Sequence, residues 1–485
     1  MQTTATPGPG LALPAWIIAF IEGFSTLAVE VIAIRLAIPV VGSSITLTGV
    51  MLAVVLFGLS AGYWRGGALS ALWDRSKTQV ALARNLFIAA LLYGALAFPF
   101  EALLLEKLLD WGVALPLAIG TTAILLLLAP VYLASQTVPM LAELINTEGH
   151  AGKASGRVLF FSTLGSVAGG VVTPVWLFPS IGVTWSSHLV CGLLAAVALA
   201  IALRQIPGWR AIGYGSAALA LVAASRTLLT PPHALYSFDS AYQSIRILEE
   251  LAGNQRMERV LLMSGGRSSG VYADDAETSF EYVLAAEKAM DEVHPETVLA
   301  VGAAGFTLPR DAARLPAVQR VDAVDVDPVV LTVAEKYFLK QTLPNKVKFL
   351  PLSARYAVRK LRRDGARYGF TFVDAYFGRG IPDELVTLEF FNDLRPVSEH
   401  TAMNVIMDRD MESAFAQNLL ATFRAAFGGV WVKDVKPGDS DLTNFLVTSW
   451  PVEGSAPWTG IGAIYHDDKS TADRDHVRMV WSDES

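Results

Sequence analysis

Four short apolar runs in the C-terminal half each end on residues that could do chemistry. Gly302 and Gly305 bracket the turn after the run 298–301, Asp325 and Asp327 close 321–326, Ser353 follows 347–350, and Asp374 follows 370–373. Helical stretches near 328–338 and 354–361 separate these runs, which is the alternation of a doubly wound parallel sheet. In such a sheet a ligand lies outside the carboxyl ends of the strands, where the strand order reverses. A glycine turn there brings backbone close to a ligand, and Pro309 suits the first turn of the helix that follows. A carboxylate after the second strand can accept hydrogen bonds from ribose hydroxyls, although an aspartate in that place can equally cap a helix. Taken together, these positions predict a ligand cleft.

Other chemistries find less support. The seven histidines show no metal-binding spacing, so no metal is expected, and no Gly-x-Ser-x-Gly elbow is present. The segment Gly265-Gly-Arg-Ser-Ser-Gly270 lacks the lysine of a phosphate loop and reads as a hairpin turn. A pI near 5.6 and the lack of a basic aromatic stripe argue against nucleic-acid binding. Cys191 is the single cysteine, which excludes an intrachain disulfide.

The elements that must carry this cleft are preceded by a different kind of chain. Hydrophobic residues make up 53% of the sequence and charged residues only 17%, with a mean hydropathy of +0.42. That is a membrane composition. Segments 13–36, 45–63, 80–98, 112–133, 158–177, 183–203 and 211–224 are near the length needed to cross about 30 Å of hydrocarbon as helices, the last being the shortest. The lipid bilayer is therefore an expected partner, and the first span reads as retained, not as a cleaved signal. Gly58-Leu-Ser-Ala-Gly62 and Gly165-Ser-Val-Ala-Gly169 have the spacing that lets helices pack closely. Glu22 and Glu30, about 80° apart on one helix, and Arg35 near its end are intramembrane candidates. Buried packing, a cation site and interfacial placement all remain open for them.

The expected fold is thus an N-terminal multi-pass α-helical membrane bundle of about seven helices over 1–228, a small N-terminal β ribbon with a connecting helix over 229–295, and a Rossmann-like domain over 296–485. The ribbon is read from β-type runs at 242–249 and 259–263 around Gly253-Asn254. Basic residues at 65, 75, 77, 84, 153, 157, 204 and 210 put the even-numbered connections inside, so seven full crossings would leave the C-terminal domain outside. The segment 211–224, about 21 Å long as a helix, is expected to lie along the interface or re-enter, leaving that domain cytoplasmic and the protein in the cell inner membrane.

The chain resembles the spermidine synthases, a class of aminopropyltransferase, and more closely the membrane-fused bacterial spermidine synthase-like proteins. The resemblance rests on Gly23-Phe-Ser-Thr-Leu-Ala-Val-Glu30-Val-Ile-Ala-Ile-Arg35, Gly42-Ser-Ser44, Gly62-Tyr-Trp-Arg-Gly-Gly67, Tyr242-Gln243-Ser-Ile245, residues 302–310, Val324-Asp-Val-Asp-Pro328 and residues 374–391 with Ile381-Pro382 and Thr387-Leu-Glu-Phe390. It implies a spermidine synthase-type domain that joins an amine to the aminopropyl group of decarboxylated S-adenosylmethionine. Asp374 then matches the catalytic base and Asp325 the ribose-binding acid. Gln243, Tyr282 and Tyr376 match the substrate-binding positions, with Gly302, Gly305 and Ser353 around the cofactor. The pattern departs at Gly305, Ser353, Phe377, Ser279 and Val283, where the family carries acidic groups or a histidine, so the substrate site is altered.

The implied function is a membrane-anchored aminopropyltransferase-like enzyme of polyamine biosynthesis type, with decarboxylated S-adenosylmethionine or S-adenosylmethionine as co-substrate and a small-molecule amine as acceptor. Two alternatives stay open: a non-catalytic ligand-binding domain that regulates a membrane transport function, and an S-adenosylmethionine-dependent methyltransferase. A homo-oligomer is compatible with either.

Overall fold

The computed structural model describes residues 11, 13–41, 45–96, 100–146, 150–204, 234–378, 380–436 and 441–482. Two compact units emerge, a helical one built from Met1–Ala37, Ile45–Leu108 and Pro116–Pro231 and an α/β one whose main body is Pro232–Ser485. Among the described residues of the first, five stretches are helical, long and apolar enough to cross a membrane: Ala15–Val41, Ile45–Ser70, Arg75–Ala95, Leu115–Ile145 and Ala151–Ala202. The last holds 52 residues, about 78 Å if straight. It is not straight, because Gly182 (φ 78°, ψ 169°) leaves the helical region and breaks it in two. Six expected segments therefore fall on these five stretches. The seventh, 211–224, and Gly42-Ser-Ser44 lie outside the described residues.

Close helix packing follows from the small residues. A Cβ on Gly165 would stand 2.0 Å from the Phe20 carbonyl oxygen, and one on Gly62 would stand 1.8 Å from Ser135 Oγ. No side chain fits at either crossing. Glu22 and Glu30 are both buried. Glu22 Oε2 accepts from Ser162 Oγ at 2.9 Å, and Oε1 from Thr26 Oγ1 at 3.4 Å. The Arg35 guanidinium lies 6.0 Å from the ring centroid of Phe178.

The α/β unit contains two sheets. The first is four-stranded and antiparallel, β1 (Ala234–Asp239), β2 (Ser244–Leu251), β3 (Met257–Met263) and β4 (Gly266–Tyr272), in sequential order. The expected two-strand ribbon is thus the middle of a larger sheet, and the glycine-rich segment turns β3 into β4 with Ser264 and Gly265 at positive φ. The second sheet has the order β12-β10-β11-β9-β8-β5-β6-β7. Its strands are β5 (Thr297–Val301), β6 (Arg320–Asp325), β7 (Val347–Pro351), β8 (Tyr368–Val373), β9 (Ser398–Asp408), β10 (Trp431–Asp434), β11 (Leu442–Thr448) and β12 (Ala456–Pro457). β5 to β9 run parallel, while β11, β10 and β12 add antiparallel.

A two-residue period decides how the larger sheet is covered. Leu299 and Val301 of β5 face one helical layer with Val358, Phe390, Phe391 and Phe415, whereas Val298 and Ala300 face the other with Ala286, Met290 and Leu308. Both faces of β5 are dry, which is why its sequence is continuously apolar. The small sheet shares a core with the large one, since Ile245, Ile247 and Leu261 pack with Phe306, Ala323 and Phe338. Helix ends are set by polar caps: Ser413 Oγ accepts from the Ala416 amide at 3.1 Å, and Gly428 closes that helix at φ 82°.

Candidate active site

β5 pairs with β6 on one side and β8 on the other, so chain order reverses between β5 and β8 and their carboxyl ends diverge. A cleft of about 1560 Å³ opens there, lined among others by Gly302, Asp325, Ser353, Asp374, Tyr376 and Tyr282. Six sequence-predicted site residues thus converge from four strand ends and the helix Glu281–Val293. Gly305 and Gln243 are not in the lining.

Backbone geometry explains both exceptions. Gly302 has φ 97°, and a Cβ on it would lie 2.1 Å from the Asp374 carbonyl oxygen, so this glycine lets the ends of β5 and β8 touch. Gly305 sits beneath the turn. Its N–H donates to Ser269 Oγ at 3.0 Å, and a Cβ on it would meet the Phe338 ring at 2.4 Å. Ala304 faces the cleft instead. Gln243 is buried, with its side-chain amide 3.4 Å from Asp327 Oδ2. Asp327 also accepts from Ser240 Oγ and the Val329 amide, and so pins the start of β2 to the end of β6.

Asp325 has a double task. Its Oδ2 accepts from the amides of Ala303 and Ala304 at 3.2 and 3.3 Å, and Oδ1 from the Asp327 amide at 3.0 Å. The carboxylate therefore shapes the glycine turn while lining the cleft, and each oxygen retains capacity to accept from a ligand. Burial raises its pKa, opposed by the three amide bonds. Ser353 precedes the helix Ala354–Arg363 and makes no side-chain capping bond, which leaves its hydroxyl free of a helix-capping role.

Asp374 lies at the centre. Its Oδ1 accepts from Asn404 Nδ2 at 2.8 Å, and Asn404 Oδ1 accepts from Asn444 Nδ2 at 2.9 Å. The Tyr282 hydroxyl donates to the Ser268 carbonyl oxygen at 3.2 Å and lies beside the same carboxyl. Burial pushes the Asp374 pKa from 3.8 to about 6, held back by the hydrogen bond from Asn404 and by the neighbouring Tyr282 phenol. Burial and the neighbouring Asp374 charge raise the Tyr282 and Tyr376 phenols, so both stay protonated. The Tyr376 hydroxyl accepts from the Ile406 amide at 2.9 Å, which holds the loop after β8 against β9. Such a carboxyl is still ionised at pH 7, yet basic enough to take a proton.

Asn404, Asn444 and Glu258 were not expected from the sequence. Glu258, buried on β3 and in the cleft lining, accepts from Ser279 Oγ and from Arg267 Nη2 at 3.1 Å. A signal existed for Asn404, as a polar residue inside the apolar run Met403-Asn-Val-Ile406. Among the described residues, no group of three or more His, Cys, Asp or Glu side chains could hold a metal ion.

No protein-family model matches the chain. A polyamine aminopropyltransferase from Vibrio vulnificus (strain CMCP6) is 30% identical over 134 residues, which are 28% of this chain and 44% of the relative. The chain thus spans less than half the length of the curated relative it matches. Among solved structures, a probable spermidine synthase from Corynebacterium glutamicum ATCC 13032 is 18% identical with a TM-score of 0.37, covering 45% of this chain and 80% of its own. Spermidine synthase from Thermotoga maritima is 16% identical with a TM-score of 0.36, covering 45% and 73%. Over those 134 residues the chain is similar in sequence to a polyamine aminopropyltransferase.

Proposed function

We propose that the α/β unit is an aminopropyltransferase-like enzyme, using decarboxylated S-adenosylmethionine or a related adenosyl sulfonium as donor and an amine as acceptor, and that the apolar helices anchor it in a membrane. The observation that carries this reading is Asp374, a cleft carboxyl with its pKa near 6, fixed by Asn404 and flanked by two protonated phenols. The neutral amine nitrogen attacks the carbon next to the sulfonium. An N–C bond forms as the C–S bond breaks, the electron pair stays on sulfur as methylthioadenosine leaves, and the proton shed by nitrogen passes to Asp374. Asp325 accepts from the ribose hydroxyls while the loop amides keep it in place.

The acceptor end differs from a polyamine pocket. Phe377 stands where the family carries the acid for the acceptor's distal amine, while Gly305 and Ser353 replace acids at the donor's ammonium and adenine, and Glu258 is already paired with Arg267. Holding two or three ammonium groups takes free carboxylates. The acceptor therefore carries fewer cationic groups than a long polyamine.

Purified protein incubated with decarboxylated S-adenosylmethionine and a panel of mono- and diamines tests this, with methylthioadenosine and the aminopropylated amine read by mass spectrometry. Methylthioadenosine formed in step with one amine product supports the transferase. S-adenosylhomocysteine formed from S-adenosylmethionine would make the protein a methyltransferase. Melting shifts with donor but no product from any amine would leave a binding domain. For sidedness we propose a cytoplasmic α/β unit, because adenosylated donors are made in the cytosol.

A further inference from the structure

A general base must hold its proton-accepting form, and among the described residues no cationic side chain is hydrogen-bonded to this one. Asn404 from β9 donates to the Asp374 carboxyl, and the phenols of Tyr282 from the helix Glu281–Val293 and of Tyr376 in its own loop are its titratable neighbours. All three are uncharged. The anion is therefore held by neutral donors, and the orientation of Asn404 becomes decisive.

An asparagine amide can present either its NH2 or its oxygen, and the two ends have the same shape. Register brings a second amide to the other end, and the accepting carboxylate sets the polarity. β9 and β11 pair Asn404 with Leu446 and Ile406 with Asn444, so Asn404 and Asn444 lie diagonally on one face of the sheet. Asn444 Nδ2 donates to Asn404 Oδ1 at 2.9 Å, which leaves the Asn404 NH2 for Asp374 Oδ1 at 2.8 Å. Hydrogen-bond polarity in this chain runs one way, Asn444 to Asn404 to Asp374, because an ionised carboxylate only accepts. Asn404 is 3% exposed, so no water replaces either bond at low cost.

We propose that Asn404, with its amide orientation locked by Asn444, is a positioning residue that holds Asp374 in its anionic, proton-accepting form at neutral pH. The inference rests on the transferase reading for its catalytic consequence, but the locked amide can be measured without substrate. Asn444 is the more telling site, since it does not touch Asp374.

Asn444→Asp is nearly isosteric and replaces the donor with an acceptor, but it also adds a negative charge, so the uncharged Asn444→Leu is read beside it. Asn444→Asp turns the Asn404 amide over and sets an amide oxygen against Asp374. Asn404→Leu removes the donor outright, and Asn444→Ala only unlocks the amide. The acid limb of the kcat/KM–pH profile is expected to move up by about one unit in Asn444→Asp and Asn404→Leu, so that the rate falls about tenfold at pH 5 but only about twofold at pH 7, and recovers at higher pH. Asn444→Leu and Asn444→Ala add no charge, so an upward shift in them reports the unlocked amide, whereas a shift in Asn444→Asp alone would assign the effect to charge repulsion and overturn the lock. In parallel, an infrared titration of the Asp374 carboxyl, taken as the difference from Asp374→Asn, reads the same change with no substrate present. Unmoved pH profiles and unmoved infrared titrations in folded variants would overturn the proposal. If the infrared titration moves but the wild-type protein aminopropylates no amine, the locked amide stands and the transferase reading falls.

Discussion

Asp374→Asn separates stability from catalysis at one atom. The folded protein raises this carboxyl from 3.8 to about 6 because burial disfavours its charged form. Below pH 4 the group is protonated in both folded and unfolded chains and its full contribution to stability is present. As pH rises through 6 the folded state must accept a buried charge, and that contribution is lost. Linkage puts the loss at roughly 1–2 kcal/mol at pH 5 and roughly 3 kcal/mol at pH 8, upper figures because the carboxyl borders an open cleft. Asparagine carries no charge and still offers an oxygen to Asn404 Nδ2. The variant should therefore melt higher than wild type at pH 8, by several degrees for a domain of this size, with the gap narrowing towards pH 5. Aminopropyl transfer should meanwhile drop by roughly 10² or more, with donor binding retained. Melting curves of detergent-purified protein at pH 5 and 8, with single-turnover assays, test both halves. A melting gap that did not change with pH would refute the buried-charge argument, and intact turnover would remove Asp374 from the base role.

Three further outcomes are expected. Asp325→Ala should weaken nucleoside binding about 10- to 100-fold and also lower the melting temperature, because it orphans the amides of Ala303, Ala304 and Asp327; calorimetric titration with methylthioadenosine checks it. Glu22→Gln should keep an acceptor for Ser162 Oγ and leave the helical unit near wild-type stability, whereas Glu22→Ala should cost about 2–5 kcal/mol; equal loss of a membrane-dependent activity in both, with unchanged melting, would instead demand a charge at Glu22. With Cys191→Ser as background, the exposed Asp468→Cys should resist a membrane-impermeant thiol reagent on intact cells and react after permeabilisation. Labelling of intact cells would place the α/β unit outside and sink the cytosolic transferase.

What local sequence determines here is the set of strand ends. β5 is a continuous apolar run because both its faces are covered, and β6, β7 and β8 are largely apolar, so their limits and the residues at or just beyond them, Gly302, Asp325, Ser353 and Asp374, were legible without a structure. The membrane-type helices were legible for the same reason, since composition over about 20 residues is enough to define them. Tertiary structure decided which of these residues share a surface and which way each side chain points. Motif spacing set Gly305 and Gln243 at the ligand, but Phe338 from a distant helix fills the space beside Gly305, and Asp327 engages Gln243. Asn404 and Asn444 meet at the cleft through the antiparallel pairing of β9 and β11, strands separated by a helix and β10, and register between such strands leaves no local signature. The chemistry of Asp374 belongs to both levels: the sequence supplies a carboxylate at a strand end, and only the folded neighbours bury it and lock the amide that keeps it a base.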